Sequence, residues 1–82
     1  MGSKFKQKSL GTFGRFGTYS FYPSHQITSG EGGMVVCNDK KDYEILYSLR
    51  SHGWDRGLNN NNNDFNFVNS GFNLRPTDIN AA

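Results

Sequence analysis

Cysteine is almost missing from this chain. Cys37 stands alone among 82 residues, which excludes an internal disulfide and any multi-thiolate metal site within the sequence. Apolar residues are also scarce, at 34%. Leu, Ile, Val and Phe together fill only 18 positions, close to the ~20% level below which chains tend to stay disordered. No apolar run approaches the ~18 residues of a helical membrane span, so no membrane partner is expected. The opening Met-Gly-Ser-Lys-Phe-Lys has no apolar core, so no secretory signal is read there and the expected compartment is cytoplasmic. Charge of one sign is lacking as well. A net +2 is too weak to argue for nucleic acid by itself. A chain this short and polar builds a thin core, worth only a few kcal/mol, and a piece of a larger domain is the natural expectation.

What is present is organised in short stretches. Residues 1–16 mix Lys4, Lys6, Lys8 and Arg15 with aromatics, and Gly11, Gly14 and Gly17 recur every third residue. Each glycine would cost a helix up to ~1 kcal/mol, so this segment reads as loop or irregular strand. Residues 17–22 are rich in β-formers and stop at Pro23, predicting a strand. Residues 24–33 are polar and turn-like. Met34-Val35-Val36-Cys37 is a continuous apolar run, which predicts a strand over about 33–37 buried on both faces. A helix follows over about 40–52: Asn38 or Asp39 can cap it, Asp42 sits in its first turn, and Tyr43, Leu46 and Tyr47 share one face. Arg50 and Gly53 mark its end. Periodicity then disappears, and the five asparagines at 59–63 read as a loop. Pro76 begins what looks like another helix, with only a few residues left to continue it.

Taken singly, the polar residues point to little chemistry. Ser20 and His25 lack a third orienting group for nucleophilic catalysis. Two histidines and one cysteine lack metal-ligand spacing, so no metal is expected. Gly30-Glu31-Gly32-Gly33 precedes a strand rather than a helix and reads as a tight turn. The N-terminal Lys, Arg, Phe and Tyr mixture has the composition of a single-strand stacking platform, without the residue order of an RNA-recognition motif.

Read as one string, residues 17–36, with Ser20-Phe21-Tyr22-Pro23-Ser24-His25 and Gly30-Glu31-Gly32-Gly33, closely resemble the cofactor-lysine region of the DegT-type sugar aminotransferases. Leu49-Arg50-Ser51-His52-Gly53-Trp54 is similar to that family's Arg-x-His-Gly-Trp segment. Gly71-Phe72-Asn73-Leu74-Arg75 through Asp78-Ile79-Asn80-Ala81-Ala82 is similar to its Gly-Tyr-Asn-x-Arg-x-x-Asp-x-Gln-Ala-Ala segment. These are fold-type I, pyridoxal-phosphate-dependent enzymes acting on nucleotide-linked keto-sugars. The resemblance implies an α/β fold, with residues 1–82 as part of the cofactor-binding large domain. Family members are several times longer, so an internal fragment truncated at both ends is expected.

His25 occupies the place of the lysine that carries the cofactor in the aminotransferases. Imidazole is not a primary amine and forms no such bond, but it can take and return a proton near neutral pH. Among relatives, histidine here marks the nucleotide-4-keto-6-deoxyhexose 3-dehydratases. These hold pyridoxamine phosphate non-covalently and use the histidine as base at the cofactor's C4′ carbon. The resemblance therefore implies a lyase of deoxysugar and lipopolysaccharide biosynthesis with His25 catalytic. It further implies pyridoxamine or pyridoxal 5′-phosphate as cofactor, a nucleotide-linked 4-keto-6-deoxy sugar as substrate and glutamate as amino donor. Ser20 matches the serine that contacts the cofactor phosphate, and Asn73 matches an asparagine reaching the partner's cofactor phosphate in a homodimer. The iron-sulfur type of dehydratase needs cysteines after the Gly-Trp region, and none stands between Gly53 and Asn73. His52 to Arg56 resembles the GDP-sugar type, whereas Gly30 stands where that type carries Met, as in the aminotransferases. An aminotransferase of the same family is the alternative. A small nucleic-acid-binding module is the reading from a different class.

Overall fold

The computed structural model describes residues 1–58 and 65–82, so the expected asparagine loop at 59–63 lies outside the described residues. They form two compact units, Met1–Asp39 with Pro76–Ala82, and Lys40–Arg75.

The first unit opens with a small hairpin, β1 (Lys4–Phe5) paired antiparallel to β2 (Lys8–Ser9). Lys6 and Gln7 form its turn at φ 48° and 64°. Two central residues at positive φ give the turn whose twist suits a hairpin, and its usual signal is Asn-Gly or Asp-Gly. That signal is missing, which is why the sequence reads as irregular here. The basic and aromatic side chains partly satisfy one another. Lys6 lies 5.5 Å from the Phe5 ring centre, and Lys8 lies 5.1 Å from that of Phe13.

β3 (Phe16–Ser20) pairs antiparallel with β4 (Gly33–Cys37), with Thr18 opposite Val35 and Ser20 opposite Gly33. Glycine is required at position 17, because a Cβ there would overlap the Gly11 carbonyl group. β4 has the expected limits, but β3 is shorter than the expected 17–22. Its ladder gains one more bond, Phe21 N–H to Gly32 C=O at 2.8 Å, and then the Phe21 carbonyl is taken by Ser29. The expected double burial of β4 is not found, since Met34 and Val35 remain 37% and 49% exposed. An apolar run shows what a strand would bury, not what is there to cover it. After Pro76 comes α2 (Asp78–Ala81), capped by Thr77, whose hydroxyl accepts the Asn80 N–H. The helix thus starts at 78 rather than 76, and Pro76 lies outside it.

In the second unit, α1 runs over Lys40–Leu49, three residues short of the expected 40–52. The Gly53 N–H returns to the Ser48 carbonyl at 2.8 Å, the long bond of a Schellman-type end. His52, not a glycine, takes the left-handed position before it, at φ 63°. The second bond of that motif is replaced by the returning chain. Phe72 donates to the Leu49 carbonyl and accepts from the His52 N–H, both at 2.8 Å, and Leu74 donates to Arg50. The return continues in the bridges Ser51–Asn73 and Trp54–Phe67. Trp54 stacks on Phe65 at 4.9 Å and 14°, with the Arg56 guanidinium 5.0 Å from the indole centre. Among the described residues no hydrophobic side chain is buried. The buried polar ones are Asp42, Ser48, Ser51 and Asp55. Ser48, fully enclosed, donates to the Ile45 carbonyl and accepts the Asn69 amide.

Adjacent positions at the end of α1 should respond with opposite signs. Gly53 has φ 87°, and a Cβ there would run into the Asn69 backbone. Gly53→Ala is therefore expected to cost the full-length protein at least the ~1–2 kcal/mol of a left-handed L-residue. His52→Gly relieves the same strain and should gain up to about 1 kcal/mol. Denaturant midpoints of the two variants check this. A stabilised Gly53→Ala protein would contradict the geometry.

Candidate functional site

The segment joining β3 to β4 carries the residues of interest. Its two ends are drawn together at Phe21, whose carbonyl accepts both the Ser29 N–H at 3.1 Å and the Thr28 hydroxyl at 2.9 Å. Thr28 Oγ1 accepts the Gly30 N–H at 3.1 Å, and the Ser29 hydroxyl donates to the Glu31 carbonyl at 2.9 Å. Residues 22–28 are thereby held as a closed excursion. Within it the His25 N–H donates to the Tyr22 carbonyl at 3.0 Å, a tight turn through Pro23 and Ser24. Proline presets the backbone angle such a turn needs at its second residue. The imidazole is exposed, with the Tyr22 ring edge-on at 6.4 Å and 71°.

Ser20 ends β3 at the foot of this loop. Its Oγ accepts the Tyr22 N–H at 3.3 Å, which leaves the hydroxyl proton available to an outside acceptor. Ser20 and His25 line the same cleft, about 370 Å³, together with Thr18, Phe21, Gln26 and Ile27. That volume falls within the ~300–1,000 Å³ usual for small-molecule sites. Two of the expected site residues are thus brought together. Asn73, the third, belongs to the second unit, where it bridges Ser51. A second depression of about 300 Å³, bordered by Lys41, Glu44 and Asp55, contains none of the expected residues.

Sequence reading passed over the groups that hold the loop. Thr28 and Ser29 fasten its closing end, and the Asn80 amide reaches the Ser29 carbonyl from α2 at 2.9 Å. A Ser/Thr pair before glycine is a recognisable turn signal, but nothing local links it to position 80.

Known proteins similar to this chain fall in one family. Residues 1–82 match the model of the DegT/DnrJ/EryC1/StrS aminotransferase family. The chain is 39% identical to GDP-4-keto-6-deoxy-D-mannose 3-dehydratase of Escherichia coli O55:H7, covering 100% of this chain and 24% of that protein. It is 46% identical to GDP-perosamine synthase of Escherichia coli O157:H7, over 99% of this chain and 21% of that one. Among solved structures it superposes on a GDP-4-keto-6-deoxymannose-3-dehydratase with a trapped PLP-glutamate geminal diamine. The TM-score there is 0.86 at 39% identity, over 98% of this chain and 24% of the other. The chain therefore spans about a quarter of the length of the relatives it matches. No helix among the described residues is long and apolar enough to cross a membrane. A family match over every residue, with this superposition, places the chain in the DegT/DnrJ/EryC1/StrS aminotransferase family.

Proposed function

We propose that the chain is part of the cofactor-binding large domain of a nucleotide-4-keto-6-deoxyhexose 3-dehydratase, with His25 as its base. The observation that carries this reading is His25 at the tip of the loop, where it lines one cleft with Ser20 and no lysine occurs between Phe21 and Gly32. The residues present suit pyridoxamine or pyridoxal 5′-phosphate. Ser20 offers a hydroxyl proton to the phosphate, and the cleft is large enough for a small ligand. The chemistry drawn from the cofactor is that of an amine and an electron sink.

The protein's own part is orientation and proton transfer. His25 removes the proton at the cofactor's C4′ carbon as the sugar's C3 hydroxyl departs. The bond from its backbone to Tyr22 and the closure at Phe21 keep the imidazole at the cleft. Asn73 reaches the partner subunit's cofactor phosphate, which makes the working enzyme a homodimer. Glutamate restores the amine form of the cofactor. GDP is the first nucleotide to test, because both named relatives act on or make GDP-linked sugars by their names.

An aminotransferase outcome is the second reading, favoured by the 46% identity to a perosamine synthase and by Gly30. The products separate the two. Full-length enzyme given a GDP-linked 4-keto-6-deoxy sugar, the pyridoxamine cofactor and glutamate should yield a sugar that has lost its C3 hydroxyl. Mass spectrometry showing a 4-amino sugar with that hydroxyl intact would reject the dehydratase reading.

A further inference from the structure

The loop that carries His25 is tied to a part of the chain far from it in sequence. Asn80, half-buried on α2, donates its amide to the Ser29 carbonyl at 2.9 Å across 51 positions. Its own orientation is set. The Thr77 hydroxyl donates to Asn80 Oδ1 at 2.5 Å, so the NH2 group of the carboxamide is the side turned to Ser29. Ser29 is the residue at which the loop closes, since its N–H and hydroxyl bind the Phe21 and Glu31 carbonyls. With its carbonyl taken by Asn80, three polar groups of Ser29 are held at once. The imidazole four residues earlier extends from a loop whose closing end is clamped on both sides.

We propose that Asn80 is a positioning residue for His25, fixing the closing end of its loop through the Ser29 carbonyl. This rests on the reading of His25 as base. Asn80 lies outside the residues that line the cleft, so its contribution is to the aim of the imidazole and not to sugar binding. Misplacing a reacting group by ~1 Å can cost on the order of 10²-fold in rate.

The test uses the full-length holoenzyme. Asn80→Ala should lower kcat for dehydration about 10–100-fold, with KM for the nucleotide sugar changed less than about twofold. Asn80→Asp, the same size without the NH2 donor, should give the same loss and carries the test if the alanine variant does not fold. Asn80→Gln keeps the donor and should recover most of the rate. In a His25→Asn background, Asn80→Ala should change the residual rate less than about twofold, because the group it aims is gone. Parental kcat in both donorless variants would overturn the proposal. So would an undiminished loss in the His25→Asn background, which is the mark of a purely structural role. Failure of the underlying reading looks different: His25→Asn alone would then dehydrate at the parental rate.

Discussion

His25→Asn in the full-length enzyme is expected to keep the fold and the bound cofactor while losing dehydration by roughly 10²–10⁴-fold, the usual contribution of a general base. The substitution is mild in every other respect. His25 is exposed, and the bond that shapes its turn is made by its backbone N–H, which asparagine retains. The side chain that goes is the only imidazole lining the cleft among the described residues. His25→Lys puts a primary amine at the same place. That variant should capture pyridoxal phosphate covalently, and borohydride should then leave a pyridoxyl group on the peptide carrying position 25. The parental enzyme should leave none. The lysine variant is expected to hold the cofactor covalently whether or not it transfers an amine to the sugar. Near-parental dehydration by His25→Asn with normal cofactor content would mean that the proton is taken elsewhere. A pyridoxyl adduct at position 25 of the parent would overturn non-covalent binding.

The second large effect concerns stability. Expressed alone, the 82 residues should show no cooperative thermal transition and poorly dispersed amide resonances. Ordering the backbone costs ~1–2 kcal/mol per residue, and apolar burial is the main term that offsets it. Here that term is nearly absent: no hydrophobic side chain among the described residues is buried, and Phe72, Leu74 and Ile79 are 68%, 65% and 90% exposed. Among the described residues the strands form only two-stranded pairs, which are marginal in water without a covered face. Hydrogen bonds such as those around Ser48 specify geometry but contribute only ~0.5–1.5 kcal/mol each. Calorimetry and an amide correlation spectrum of the isolated chain check the expectation. A sharp heat-absorption peak with dispersed amides would refute it.

The sequence by itself determined the features whose cause lies within a few residues. Helical spacing marked the start of α1, an apolar run between glycine and asparagine marked both limits of β4, and ordered motifs carried the family resemblance. That position 25 carries an imidazole and no primary amine was likewise legible, because it is a matter of chemical identity. Tertiary structure decided whatever depends on where the chain returns. β3 stops at Ser20 because Ser29 captures the Phe21 carbonyl, and α1 stops at Leu49 because Phe72 comes back to bind Leu49 and His52. The turn at Lys6 and Gln7 carries no local signal for its positive φ. Asn80 carries no mark of its tie to Ser29, since a side-chain amide has no periodicity and its partner is chosen by the fold. Local propensity acts over one or two turns of chain, whereas a hydrogen bond across 51 positions exists only once the backbone has been brought round.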